Sequence, residues 1–206
     1  MDRDREYSIT CYCEKEIKLL VPETVDLEEN REKIEEILQG DFLKTKCPDC
    51  GKELKPEFEI QFQSGKSSAP LLFLPEIDRE SFYNGKKDVP VDWELVIGYP
   101  ELREHLLMIQ YSLKRFPLEA IKLHLLQKVP ADRGVSIYFE KLENEKLFFE
   151  VIGLREDEVG IVQVPLKTYR RLETDAEQLM QEEPYTAMLR LPYISVKLVS
   201  FEETSE

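Results

Sequence analysis

The sequence predicts an α+β fold: a zinc-ribbon-like β module with an inserted helix, followed by a helical pair and an antiparallel sheet. Three observations predict it. Two cysteine pairs, Cys11-Tyr12-Cys13 and Cys47-Pro48-Asp49-Cys50-Gly51, have the form of tight turns that offer thiolates to one ion. Apolar residues recur at helical spacing between those pairs and again after Pro100. From Val135 the period drops to two, the pattern of strands with one buried face.

The module comes first, at residues 7–63. Residues 7–10 read as a strand entering the first turn, and residues 16–21, with Ile17, Leu19, Leu20 and Val21, as a strand leaving it. Pro48 sets φ early in the second turn, and Gly51 tolerates the left-handed conformation that lets the chain leave it. The stretch between the pairs, residues 14–46, is longer than a usual ribbon spacing, so a folded element must fill it. That element is a helix opening at Asp26, with Glu29 at capping-box distance, Ile34, Ile37 and Leu38 on its stripe, and Gly40 closing it. Glu28, Glu32, Glu35 and Glu36 form its solvated outer face. Phe58, Ile60 and Phe62 then alternate as a strand.

Residues 64–98 read as an irregular connecting segment, polar at 64–68 and punctuated by prolines, with a short strand at 71–74. The Gly65-Lys66-Ser67 run has neither the upstream glycine nor the following apolar helix of a phosphate loop. Residues 99–201 carry the rest. Pro100 opens a helix with Leu102, Leu106, Ile109 and Leu113, and a second helix carries Leu118, Ile121, Leu125 and Leu126. Val135, Ile137 and Phe139, a turn at 142–146, and Leu147, Phe149 and Val151 make a hairpin; residues 160–164 add a third strand. A short helix follows Pro165, Thr174 and Glu177 propose a second capping box, residues 194–201 propose a last strand, and 202–206 an acidic tail.

Composition restricts the function classes. The 206 residues hold 42 acidic and 28 basic side chains, a net charge of −14, which opposes binding to phosphate backbones and anionic membranes. A 42% apolar share is enough for a core without disulfides. The charged start lacks the apolar region of a signal peptide, no run is long enough to span a bilayer, and four paired cysteines suit a reducing cytoplasm. Cys11 and Cys13 are too close in sequence to bridge each other readily. A thioredoxin-like redox reading of Cys47-Pro48-Asp49-Cys50 conflicts with Gly51 and Pro56, which stand where that motif opens a long helix. The expectation is one structural Zn²⁺ held by Cys11, Cys13, Cys47 and Cys50; zinc is preferred to iron because nothing suggests electron transfer.

Four stretches also carry a family resemblance: Ile9-Thr10-Cys11; Thr45-Lys46-Cys47-Pro48-Asp49-Cys50-Gly51-Lys52; Val96-Ile97-Gly98-Tyr99-Pro100-Glu101-Leu102; and Leu147-Phe148-Phe149-Glu150-Val151-Ile152-Gly153-Leu154. By these the chain resembles the CpXC-domain proteins of bacteria and archaea, although its first pair has one intervening residue where the family name suggests two. The resemblance implies zinc binding and supplies no activity.

The leading expectation is a non-enzymatic intracellular adaptor with a structural zinc and an unidentified protein partner. A closed four-thiolate site has no open position for catalysis. One alternative is an enzyme with its site in residues 70–98 or in the β half. The other is a nucleic-acid-binding ribbon using Lys44, Lys46, Lys52 and Lys55. A second metal site at His105 and His124 lacks a cysteine or carboxylate partner in the sequence pattern.

Overall fold

The computed structural model describes residues 4–63, 69–129, 134–155 and 158–199. The polar stretch 64–68 and the acidic tail 202–206 lie outside the described residues. The chain is α+β and divides into two units, Met1–Leu106 and Leu107–Glu206. The division falls within a single helix.

In the first unit, β1 (Asp4–Thr10) and β2 (Glu16–Pro22) pair as an antiparallel ribbon. Next come β3 (Thr24–Asp26), α1 (Arg31–Gln39), β4 (Thr45–Lys46), β5 (Glu53–Leu54) and β6 (Ile60–Gln63). They are followed by β7 (Leu71–Leu74), α2 (Arg79–Tyr83), β8 (Glu94–Ile97) and α3 (Tyr99–Gln110). The central sheet has the order β3-β6-β7-β8; β6 and β7 run antiparallel, whereas β3 is parallel to β6 and β8 to β7. All four residues of β7 are buried, as are Leu95, Val96 and Ile97 of β8. Such continuous apolar runs belong to strands covered on both faces. The segment read as irregular from its prolines therefore supplies half of the main sheet: Leu71–Leu74, the strand the sequence did suggest, and Glu94–Ile97, which it did not. Glu94–Ile97 is too short to display a period, and its parallel pairing is a tertiary fact invisible to local pattern.

The inserted helix starts later than the capping argument predicts. Asp26 ends β3, and its Oδ1 accepts from the N–H groups of Glu28 and Glu29, at 2.8 and 3.3 Å. The carboxylate thus fixes a turn, a conformation that competes with helix, and α1 begins at Arg31. The predicted stop holds: Gly40 adopts φ +83° and donates to Ile37, while Asp41 donates to Glu36. Ile37 is fully buried, and the four acidic residues of the outer face are exposed.

The second unit contains α4 (Arg115–Leu126), β9 (Ser136–Glu143), β10 (Lys146–Arg155), β11 (Glu158–Pro165), α5 (Leu166–Thr174), α6 (Ala176–Leu179), β12 (Leu189–Arg190) and β13 (Tyr193–Ile194). The predicted hairpin is present, with Asn144 and Glu145 both at positive φ in its two-residue turn. The sheet order is β11-β10-β9. Ile137, Phe139, Leu147, Phe149 and Val151 point to one face and are buried with Leu118 and Ile121 of α4 and Leu166, Tyr169 and Leu172 of α5.

Two expectations fail here. Thr174 does not cap α6: its hydroxyl donates to the Arg170 carbonyl at 2.9 Å and closes α5 instead. Among the described residues, which exclude positions 200 and 201 of the predicted strand, the last strand is only Tyr193–Ile194. Beyond it the N–H of Val196 donates to the buried Glu119 carboxylate at 2.8 Å, and Ser195 Oγ caps a 3-10 turn over Val196–Leu198. A backbone amide taken by a buried side chain is lost to a strand ladder.

Candidate metal centre

Two short hairpins deliver the cysteines. The β1–β2 ribbon closes through a turn in which Cys11 N–H donates to the Lys15 carbonyl and Glu14 N–H to the Cys11 carbonyl, both at 2.8 Å. Glu14 takes φ +69°, which reverses the chain within one residue of Cys13. In the second hairpin β4 pairs with β5. Cys47 N–H donates to the Lys52 carbonyl and Gly51 N–H to the Cys47 carbonyl, both at 2.9 Å, with Gly51 at φ +71°. These are the left-handed exit positions that Gly51 promised and Glu14 did not, since glutamate carries no such signal.

The four sulfurs all lie within 4.8 Å of one another. Cys11 Sγ is 3.6 Å from Cys50 Sγ, and Cys13 Sγ is 3.5 Å from Cys47 Sγ. Sulfurs bonded at about 2.3 Å to a tetrahedral ion stand about 3.8 Å apart. The donor set therefore fits a metal ion with little adjustment, and the single-residue spacing of the first pair is no obstacle. Cys11 and Cys47 are each 2% exposed and pack with Ile17, against Ile9, Leu19 and Leu54, while Cys13 and Cys50 face outward.

Electrostatics point the same way. The Cys47 thiol is drawn down to about 7, first by the Cys50 N–H and also by the Asp49 N–H. At Cys13 the Lys15 N–H favours the thiolate, but the sulfurs of Cys47, Cys50 and Cys11 oppose it and the thiol is pushed up to about 12. The neighbouring sulfurs thus favour the thiolate at Cys47 and oppose it at Cys13, and a bound cation favours the thiolate at both. Two contacts absent from any sequence pattern tie the turns together: Lys15 pairs with Asp49 at 3.4 Å, and Lys52 Nζ lies 3.8 Å from the centroid of the Tyr12 ring.

A family model described as CpXC protein matches residues 9–122, a span that includes all four cysteines and more than half the chain. The chain belongs to the CpXC family. The match runs through the first unit and on into α4, so the family is not confined to the metal-site turns. A protein of Treponema pallidum (strain Nichols), described as an uncharacterized protein, is 28% identical over 93% of this chain and 97% of its own length. No solved structure matches the chain.

Most of the other candidate residues have structural partners; Lys46 is exposed. In residues 70–98 and their surroundings, Glu57 accepts from the N–H groups of Glu76 and Tyr99, both at 2.7 Å. Arg79 binds the Ile97 carbonyl at 2.8 Å, Glu101 at 2.9 Å, and Glu76. Of the lysines near the second turn, Lys44 pairs with Glu53 and Asp41, Lys52 covers Tyr12, and Lys55 sits over Tyr99. His105 pairs with Glu94 at 3.1 Å in the first unit, and His124 Nε2 meets the Tyr185 hydroxyl at 2.9 Å in the second. Among the described residues, the one group of metal-ligating side chains drawn together is the four cysteines, and no helix is long and apolar enough to cross a membrane.

Proposed function

We propose that this CpXC protein is an intracellular interaction module whose first unit is fastened by one structural Zn²⁺ on Cys11, Cys13, Cys47 and Cys50. The observation that carries this reading is the closed set of four sulfurs, two of them buried, which offers a soft tetrahedral cation its full coordination. Zinc favours such a set, and with four protein ligands it has no position for substrate or activated water. Its contribution is to hold two short hairpins, each too small to be stable alone. The reading as an adaptor draws on what this holding displays: Tyr12, 82% exposed between two ligands, with the Lys52 ammonium against its ring. An amphipathic aromatic fixed on a rigid turn is a favourable anchor for a protein partner.

The test has two parts. Metal analysis of protein expressed without added metal should give one zinc per chain, and a metal-free native protein overturns the reading. Cross-linking in the native cell should capture a partner with wild-type protein and lose it with Tyr12→Ala at unchanged zinc content. Equal capture by the variant removes the knuckle face from the proposal.

A further inference from the structure

We propose that β11 is the contact strand of a two-fold homodimer, formed by antiparallel pairing with β11 of a second copy. The two edges of the β11-β10-β9 sheet are unlike. The β9 edge carries Glu140, Lys141 and Glu143, and its register with β10 shifts in mid-strand, between Phe148 and Phe149. Charges and a mid-strand register irregularity are devices that keep an edge from pairing. Along β11 the one register shift lies at its start, against Ile152–Arg155 of β10, and no charge follows Glu158. From Val159 to Val164 it reads Val-Gly-Ile-Val-Gln-Val, eight residues of strand in all with a charge only at Glu158. Its outer row of backbone groups has no strand beside it among the described residues.

The side chains agree with a second copy as the occupant. On the outward face, Ile152 of β10 stands beside Val159, and Ile161 lies next along β11; they are 43%, 58% and 55% exposed. A two-fold axis perpendicular to the sheet through Ile161 keeps this face on one side for both copies. It sets Ile161 against Ile161 and Val159 against Gln163 and makes one six-stranded sheet, with Glu150 of β10 beside each Ile161 on the far side from the axis. Charge sets the direction. In a molecule of net charge −14, association is least opposed along an uncharged strip. Antiparallel pairing also brings the Glu158 end of one strand to the end of the other that leads into Lys167 and Arg170, both exposed. Parallel pairing sets like ends together.

Sedimentation of the zinc-loaded full chain over a range of concentrations tests the proposal. A monomer–dimer equilibrium is expected, with amide exchange across residues 159–163 slowing as concentration rises. Ile161→Lys sets two like charges face to face and weakens dimerisation on the order of tenfold or more, with far-UV signal and zinc content unchanged. Val159→Lys gives the same readout should Ile161→Lys disturb folding. A wild-type chain that stays monomeric at every concentration overturns the proposal. So does a dimer that both variants leave intact, or one without protection of β11. Protection of β11 only in the presence of a different protein assigns the edge to that protein and overturns the second copy.

Discussion

At the scale of single residues, the strictest positions are those where backbone conformation and a neighbour act together. Gly98 is one. It holds φ +81° at the junction of β8 and α3, and a Cβ there collides with the Glu76 carboxylate. Gly98→Ala should cost about 1–3 kcal/mol in chemical denaturation. The double change with Glu76→Ala should recover only part of this, because the strained φ remains. Cys47 is another. Cys47→Ser should abolish stoichiometric metal binding, read by metal analysis, and remove a local term on the order of 10 kcal/mol in small zinc modules. His124 gives a pH signature. Burial, then the nearby Arg171 and Lys128, hold its pKa below the ordinary 6.5. The unfolded chain therefore binds a proton that the folded chain resists. The neutral-state stability is complete above about pH 6.5 and is lost as pH falls toward the folded value. His124→Gln should flatten that part of the denaturation-versus-pH curve; an unchanged slope assigns it to other groups.

At the scale of elements, α4 shows how a buried pair specifies a joint. Glu119 and Lys122 are both nearly inaccessible, 2.6 Å apart one helical turn along, and Glu119 also receives the Val196 N–H. Lys122→Met removes one partner and should destabilise by about 3 kcal/mol or more, because it strands a buried carboxylate. Glu119→Leu combined with Lys122→Met should cost less than the single change despite altering more atoms. Neither residue is visible as buried in the sequence, since charged side chains are seldom buried unless paired. The same reason separates what was legible from what was not. The β9–β10 hairpin and Gly40 were legible because local turn chemistry and periodicity decide them. The start of α1, the strand Glu94–Ile97 and the fate of residues 194–198 were not. There a side chain or a distant strand takes the backbone group, through Asp26, β7 and Glu119 respectively. At the four-cysteine cluster, sequence pointed to the residues that come together but not to the Lys15–Asp49 and Tyr12–Lys52 ties, which exist only after two remote turns meet.

At the scale of the whole molecule, charge and division govern behaviour. A net charge of −14, with Lys44, Lys52 and Lys55 already engaged, opposes the phosphate contacts that tight nucleic-acid complexes need. Titration with mixed-sequence oligonucleotides at physiological salt should show no dissociation constant tighter than about 1 µM. The division into two units predicts that Cys47→Ser raises amide exchange around β1, β2, β4 and β5 and spares β9, β10 and β11. Equal loss in both units makes the chain one cooperative body. The wide separation of the two cysteine pairs has a further consequence. Between them lie β2, β3, α1 and β4, so folding of that stretch holds the second pair of sulfurs at the first. The effective concentration of one half-site at the other is thus set by the folding of a segment that touches no metal. Cation affinity becomes a gauge of that segment's integrity: an error as remote as a cavity at Ile37 would be felt as a weaker grip on the ion, and a cell that rations that ion would leave the defective copies empty first.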